Sequence, residues 1–110
     1  LSAAASDVYK RQVMLSANTF TQSTIRVMYK LVPVGFVGNL DDLPFQFFNT
    51  TGIPDSGTIT PQNDLFTFTD YEYTIDDTED FDGFQIKVSL LAYDQPYIPR
   101  VKDLRAIALA

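Results

Sequence analysis

The stretch that decides the fold runs from Phe84 to Ala110 and reads FQIKVSLLAYDQPYIPRVKDLRAIALA. Apolar side chains occupy every second position at its start: Phe84, Ile86, Val88, Leu90 and Ala92. Because successive side chains of a strand point to opposite faces, this alternation predicts a β-strand with one buried face. Leu91 and Tyr93 add apolar groups to the second face, so we expect that face to be partly covered near its end.

A proline-bounded loop and a closing strand complete this stretch. Pro96 and Pro99 fix φ and withhold backbone donors, which ends strand pairing between them. A basic segment, Arg100 to Arg105, then leads into a short apolar strand, Ala106 to Ala110. The strand, the loop and the closing strand therefore read as structural features, and none of them carries a catalytic pattern.

Alternation upstream predicts the remaining strands. The clearest case is Thr24 to Val34, which Pro33 ends. Further short strands are expected at three places: Phe45 to Phe48, Leu65 to Thr69 and Asp70 to Ile75. Asn49 to Asn63 is the longest loop, and Leu40 to Leu43 could form one helical turn. Short strands separated by turn signals predict an all-β fold, an antiparallel β-sandwich of jelly-roll-like character.

The composition limits the classes of function. The chain has 110 residues, of which 45% are hydrophobic and 14% aromatic, enough for one small domain with a single core. It has no Cys and no His, so it lacks a disulfide framework and the usual general base and metal ligand near neutral pH. A net charge of −6 argues against nucleic acid and anionic membranes as partners. We expect no cofactor.

The first twelve residues have a separate explanation. Ser2 to Gln12 reads SAAASDVYKRQ, which resembles SSAASDVYKRQ, the translation of a common transposon-type sequencing adapter, with Ala3 as the single difference. A signal peptide would need a longer apolar core after its charges. We therefore expect residues 1–12 to be a non-native, disordered or loosely structured tail and residues 13–110 to form one β-sandwich domain. Val13 to Leu15 is interpreted as the remnant of a truncated first strand.

An acidic run, Asp76 to Gly83, offers carboxylates of the kind that Ca²⁺ binds. The candidate metal ligands are Asp77, Glu79, Asp80 and Asp82. The EF-hand pattern fails, because the frame that places Gly83 correctly begins with Thr78 and ends at Ser89. A solvated turn that discourages edge-to-edge pairing is the favoured interpretation. Nothing marks one of these acids as buried, so we do not expect a glycosidase or any other enzyme.

Tyrosines and basic residues are the candidates for surface contacts. Tyr71 and Tyr73 alternate along a predicted strand and are expected to fill a sheet face. The candidate interaction residues are Tyr97, Arg100, Lys102 and Arg105. Tyr97 lies in a loop between two prolines, and the three cations form a basic patch in an acidic chain. Three charges are too few for a nucleic-acid footprint, so we expect them to pair with the acidic run or with a neighbouring subunit.

Two parts of the chain carry a family resemblance. They are Ile25 to Leu31, IRVMYKL, and a C-terminal pattern made of FQIK at Phe84 to Lys87 and IPRVKDLRAIAL at Ile98 to Leu109. Both resemble a β-sandwich module of tailed-phage virion proteins, the large tail or baseplate proteins of marine contractile-tailed phages. The resemblance spans about three quarters of the chain. Leu91 to Tyr93 departs from it, because the family usually has small polar residues there.

The resemblance implies a structural module of a phage tail or baseplate protein, located in the virion and made in the host cytoplasm. Its partners would be other virion proteins or further domains of the same parent chain, and it supplies no catalytic residues. A second copy of the chain and a glycan are the other partners to consider. The alternative function is a carbohydrate-binding β-sandwich that recognises a host receptor through exposed tyrosines with polar neighbours.

Overall fold

Two antiparallel sheets make up the computed structural model, which describes residues 10–76, 81–93 and 98–109. The strands are β1 (Lys10–Asn18), β2 (Ser23–Pro33), β3 (Gln46–Phe47), β4 (Thr69–Asp76), β5 (Phe81–Ala92) and β6 (Arg100–Leu109). The first sheet has the order β4-β1-β6 and the second sheet the order β3-β2-β5. The all-β prediction is confirmed and the arrangement is consistent with a β-sandwich, while the jelly-roll likeness stays a prediction.

Two short 3₁₀ turns, Leu40–Asp42 and Phe48–Thr50, are the helical elements among the described residues. The first of them confirms the single turn expected at Leu40 to Leu43. Its segment lies over the outer face of the second sheet, because the buried Lys30 ammonium donates to the Leu40 carbonyl at 2.8 Å. The same ammonium lies 4.4 Å from the centre of the Phe45 ring. Lys30 therefore attaches this connection to β2.

The core lies between the two sheets and draws on both central strands. It is a single cluster of buried side chains: Val13, Leu15, Ala17, Ile25, Val27, Phe48, Tyr71 and Tyr73. The Phe48 ring joins the sheets, with its centre 4.9 Å from that of Tyr29 and 5.7 Å from that of Tyr73. Full burial of an apolar side chain of this size contributes about 1.5–3 kcal/mol. This cluster therefore holds the two sheets face to face.

Strand β1 is longer and more central than the sequence indicates. The apolar stub expected at Val13 to Leu15 is the middle of a nine-residue strand that pairs with β4 on one side and β6 on the other. Lys10 to Gln12, assigned to the adapter-like tail, form its first part, which differs from the loose structure expected for them. Residues 1–9 lie outside the described residues. Both partner strands come from far along the chain, so the local pattern could not show this pairing.

Strand β6 is continuous, whereas the sequence indicated a polar segment followed by a short strand. Arg100–Leu109 pairs with β1 over its length, with one irregularity between Met14 and Ser16. Asp103 lies at that point with φ 54°, in the left-handed region that a bulge residue adopts. The prediction of a separate strand starting at Ala106 is therefore wrong, because a β-bulge lets the basic segment join the ladder.

The strand predicted at Leu65 to Thr69 is also wrong for most of its length. The Asp64 carboxylate accepts hydrogen bonds from the backbone N–H of Phe66 at 2.8 Å and of Thr67 at 2.7 Å. Both bonds lower the pKa of Asp64, and the bond from Phe66 has the larger effect. They turn the backbone, and the Phe66 side chain is left 86% exposed. A side chain that binds its own following backbone competes with strand pairing.

A long connection, here named the closing loop (residues 51–68), joins the two sheets along the edge of β4. The Asp55 N–H donates to the Glu72 carbonyl at 2.8 Å, and the Thr74 N–H donates to Asp55 Oδ1 at 3.0 Å. The Val27 N–H of the second sheet donates to the Gly52 carbonyl at 2.9 Å. The loop thus supplies hydrogen-bond partners to both sheets on one flank of the sandwich.

At Gly52 the closing loop comes close to the second sheet. Gly52 has φ +82°, and an added Cβ would lie 2.6 Å from Phe47 Cδ1 and 3.0 Å from Arg26 Cβ. A side chain at this site meets both backbone strain and a steric clash. The hydrogen bond between Val27 and Gly52 therefore depends on glycine.

Two buried tyrosines allow a matched test of the closing loop. The Tyr71 hydroxyl accepts a hydrogen bond from the Thr60 N–H at 2.8 Å. The Tyr73 hydroxyl has no hydrogen-bond partner among the described residues. Burial raises the pKa of Tyr73. We expect Tyr71→Phe to lower the free energy of unfolding by about 1 kcal/mol. Tyr73→Phe should leave it unchanged or raise it, because an unpaired hydroxyl leaves the core.

Urea unfolding of the two variants and the wild type, followed by circular dichroism, measures these differences. Equal losses for Tyr71→Phe and Tyr73→Phe would contradict the assignment of the Tyr71 hydroxyl as an anchor of the closing loop.

Candidate functional site

Three of the predicted site residues lie in the described part of the structure. Arg100, Lys102 and Arg105 lie in β6, and all three are exposed. Four candidates lie outside the described residues: Tyr97, Asp77, Glu79 and Asp80. The backbone of Asp82 is described as part of β5, but its side chain is not. In the described part of the chain, no three acidic, His or Cys side chains come together as a metal-binding group.

The flank made by β5 and β6 differs from the one that the closing loop covers. Within the described residues, each of these strands has one paired neighbour, β2 for β5 and β1 for β6. β5 has 12 residues and β6 has 10, so both present long backbone edges. An edge with unpaired N–H and C=O groups is a template for a strand from another chain. We name this side of the sandwich the open flank (β5 and β6).

Apolar side chains are exposed along the open flank. Leu90 of β5 and Leu104 of β6 are both 47% exposed. Their exposed apolar neighbours in sequence are Leu91, Tyr93 and Ile98. Lys87, the lysine of β5, lies with its ammonium 5.4 Å from the Phe45 ring on the outer face of the second sheet. The buried face predicted for β5 is therefore only half covered, since Phe84, Ile86 and Val88 are partly buried.

The outer face of the first sheet is divided by charge. Ser16 pairs with Asp70 of β4 and with Lys102 of β6, and Met14 pairs with Glu72 and Arg105 in the same way. Partners directly opposite in an antiparallel ladder lie on the same face. At the levels of Ser16 and Met14, the face therefore has an acidic strand, a neutral central strand and a basic strand.

The bulge at Asp103 creates the basic row. In a regular strand Lys102 and Arg105 would point to opposite faces, because their positions differ by three. The extra residue restores the phase, so that both cations lie opposite residues of β1 that share one face. The sequence shows three basic residues close together, but the row that they form depends on this bulge.

Hydrogen bonds fix the acidic row to β1. The Gln12 side chain donates to the Glu72 carboxylate, and the Ser16 hydroxyl donates to the Asp70 carboxylate. On the basic side, the Lys102 ammonium lies 4.4 Å from the centre of the Phe68 ring. A shallow depression of about 140 Å³ lies over Met14 and Ser16. Its charged lining is Asp70, Glu72, Asp103 and Arg105.

A second concave region lies where the closing loop meets the ends of β2 and β5. This cleft of about 280 Å³ has Tyr93, Pro61 and Ile59 as apolar walls and Arg26 as its cation. The Arg26 guanidinium is held by a bond to Thr24 Oγ1 at 2.9 Å. Hydroxyls from the turn after β1 and from the start of β2 complete the lining: Thr19, Thr21, Ser23 and Thr24.

The tyrosines divide between core and surface. Tyr71 and Tyr73 are buried in the core, which confirms that they fill a sheet face. Tyr93 is 80% exposed beside the cleft, and its N–H donates to the Gln22 carbonyl at 2.8 Å. Sequence reasoning had no signal for Arg26 or Pro61 at this place, because the cleft is assembled from segments far apart in the chain.

Comparisons with protein-family models, with curated proteins and with solved structures find no match for this chain. No helix of the described residues has the length and hydropathy that crossing a membrane requires.

Proposed function

We propose that the chain is a structural module of a phage tail or baseplate protein and that it acts in assembly through protein–protein contacts. The observation that carries this proposal is the open flank, where two long strand edges lie beside exposed apolar side chains. The sequence resemblance of Phe84 to Leu109 to virion modules points the same way and lies on the same two strands. The role needs no catalytic group.

Strand addition is the mode of contact that this flank suits best. A neighbouring chain that adds a strand to β5 or β6 gains main-chain hydrogen bonds, and its alternate side chains give specificity. Leu90 and Leu104 would lose their contact with water in such a complex, with a gain of about 25 cal/mol per Å² of apolar surface. The closing loop excludes the same contact on the opposite flank, because it already bonds to the edge of β4.

The proposal is tested by the association of the chain in solution. We expect concentration-dependent association of the wild type that persists at high salt, because apolar burial and backbone pairing are weakly screened. The double variant Leu90→Lys/Leu91→Lys should be monomeric, since charged edges block strand addition. Analytical ultracentrifugation over a concentration series measures both.

The matched control is Val37→Lys/Phe66→Lys, which adds the same two charges at exposed apolar positions outside β5 and β6. It should associate like the wild type. A wild type that stays monomeric at high salt up to millimolar concentration would refute assembly through the open flank, as would equal effects of the two double variants.

Carbohydrate binding is the second candidate, and the exposure of Tyr93 beside the cleft favours it. An exposed aromatic ring can stack on a sugar, while hydroxyls and a guanidinium can bind its polar groups. Tyr71 and Tyr73 cannot take this role because they are buried, whereas Tyr93 is 80% exposed.

If the cleft binds a sugar, Tyr93→Ala should abolish binding and Tyr93→Phe should keep most of it, because the ring is what stacks. A glycan array followed by calorimetry on any sugar that binds provides the measurement. Absence of binding by the wild type, or binding that Tyr93→Ala leaves intact, would dismiss this candidate.

A further inference from the structure

The charge-divided face of the first sheet has a pattern that is complementary to itself. Two neighbouring levels of the face run from an acid on β4, through β1, to a base on β6: Asp70–Ser16–Lys102 and Glu72–Met14–Arg105. The side chains of all four charged residues are exposed. We propose that this face binds a second copy of the chain in a two-fold symmetric dimer.

Within one copy, the acidic and basic side chains stand on strands that are not neighbours. The acidic and basic strands are separated by β1, and two strand spacings amount to about 10 Å. Gln12 and Ser16 hold the acids on the β4 side, while Lys102 lies over the Phe68 ring on the β6 side. Both rows therefore keep their charge available to a partner.

The balance of the two rows matches as well. At the two levels where β4 has an acid, β6 has Lys102 and Arg105, which give +2. On β4, Asp70 and Glu72 give −2 among the side chains that are described. A second copy thus offers each row a partner row of equal and opposite charge.

Symmetry selects one orientation of the second copy. A two-fold axis parallel to β1 lays β4 of one copy over β6 of the other. Each residue keeps its position along the strand direction. Asp70 then faces the second copy's Lys102, and Glu72 faces its Arg105. An axis across the strands would lay acidic strand on acidic strand, which like-charge repulsion disfavours.

The centre of this interface has its own contact. Met14 lies on β1 between the acidic and the basic strand, and its half-buried side chain lines the shallow depression. In the proposed dimer the two Met14 side chains meet near the axis, because an isologous interface brings equivalent central residues together. Packed sheets lie about 10 Å apart, so the long charged side chains of the two faces reach each other.

This inference rests on a different surface from the proposed function and does not need the tail assignment. Contact through the open flank depends on apolar residues of β5 and persists at high salt. Contact through the charge-divided face depends on the two charged rows and weakens as salt rises. The two modes are therefore separable in one set of measurements.

A charge-swap experiment tests the inference. One variant, Asp70→Lys/Glu72→Lys, makes both rows basic, and the other, Lys102→Glu/Arg105→Glu, makes both rows acidic. We expect the wild type to dimerise at low salt, and each variant alone to show a dimer Kd raised roughly tenfold or more. An equimolar mixture of the two variants should form a heterodimer, since every row then faces its opposite.

The control is Asp41→Lys/Asp42→Lys, which makes the same change in net charge at exposed positions on the first 3₁₀ turn. It should leave dimerisation at low salt unchanged. If circular dichroism shows that Asp70→Lys/Glu72→Lys does not fold, the neutral variant Asp70→Asn/Glu72→Gln takes its place. The neutral variant should also raise the dimer Kd. Native mass spectrometry distinguishes the heterodimer from either homodimer by mass.

Three results of the charge-swap experiment would overturn the inference. They are a wild type that is monomeric at low salt, a dimer that both reversals leave intact, and a mixture without heterodimer. Loss of association only in Leu90→Lys/Leu91→Lys would also overturn it, while leaving the proposed function standing. A salt-sensitive dimer without any salt-resistant association would refute assembly through the open flank and leave this inference standing.

Discussion

Unpaired backbone groups at the strand edges are the constraint on which the rest of this structure depends. Two three-stranded sheets have two edges each, and a long free edge invites pairing with another chain. On one flank the closing loop meets this demand, through Asp55 at the edge of β4 and through Gly52 at β2. On the other flank β5 and β6 have no such cover among the described residues.

The closing loop explains why so irregular a segment follows a defined path. Loops of this length in small domains are commonly functional or mobile. Here Tyr71 accepts from Thr60, Thr19 accepts from Gln62, and the buried Asn18 side chain donates to the carbonyls of Asp64 and Thr67. Core residues thus position the loop, and the loop in turn protects the edge of β4.

The sequence revealed what depends on local alternation and missed what depends on distant pairing. The residues of β2, β4 and β5 show their period of two directly, and their strands were predicted closely. The extent of β1 was missed because its polar end, Ser16 to Asn18, resembles a turn until two partner strands bury it. The three bases of β6 were visible as a patch.

The arrangement of that patch could not be read from the sequence. Which acid stands level with which base is set by the register of β1 against β4 and β6, and the phase of Arg105 is set by the bulge at Asp103. Side-chain exposure at Tyr93 likewise depends on where distant segments meet. Surfaces of this kind follow from topology, whereas strand periodicity follows from neighbours in the chain.

Hydrogen exchange of the backbone amides, followed by NMR on the dilute monomer, tests the contrast between the two flanks most directly. We expect slow exchange at Asp55, Thr74 and Val27, whose N–H groups bond across the closed flank. Along β5 and β6 we expect fast exchange at every second amide, where the N–H faces away from the paired strand. Fast exchange at Asp55 and Thr74, or uniform protection along β5 and β6, would contradict this account.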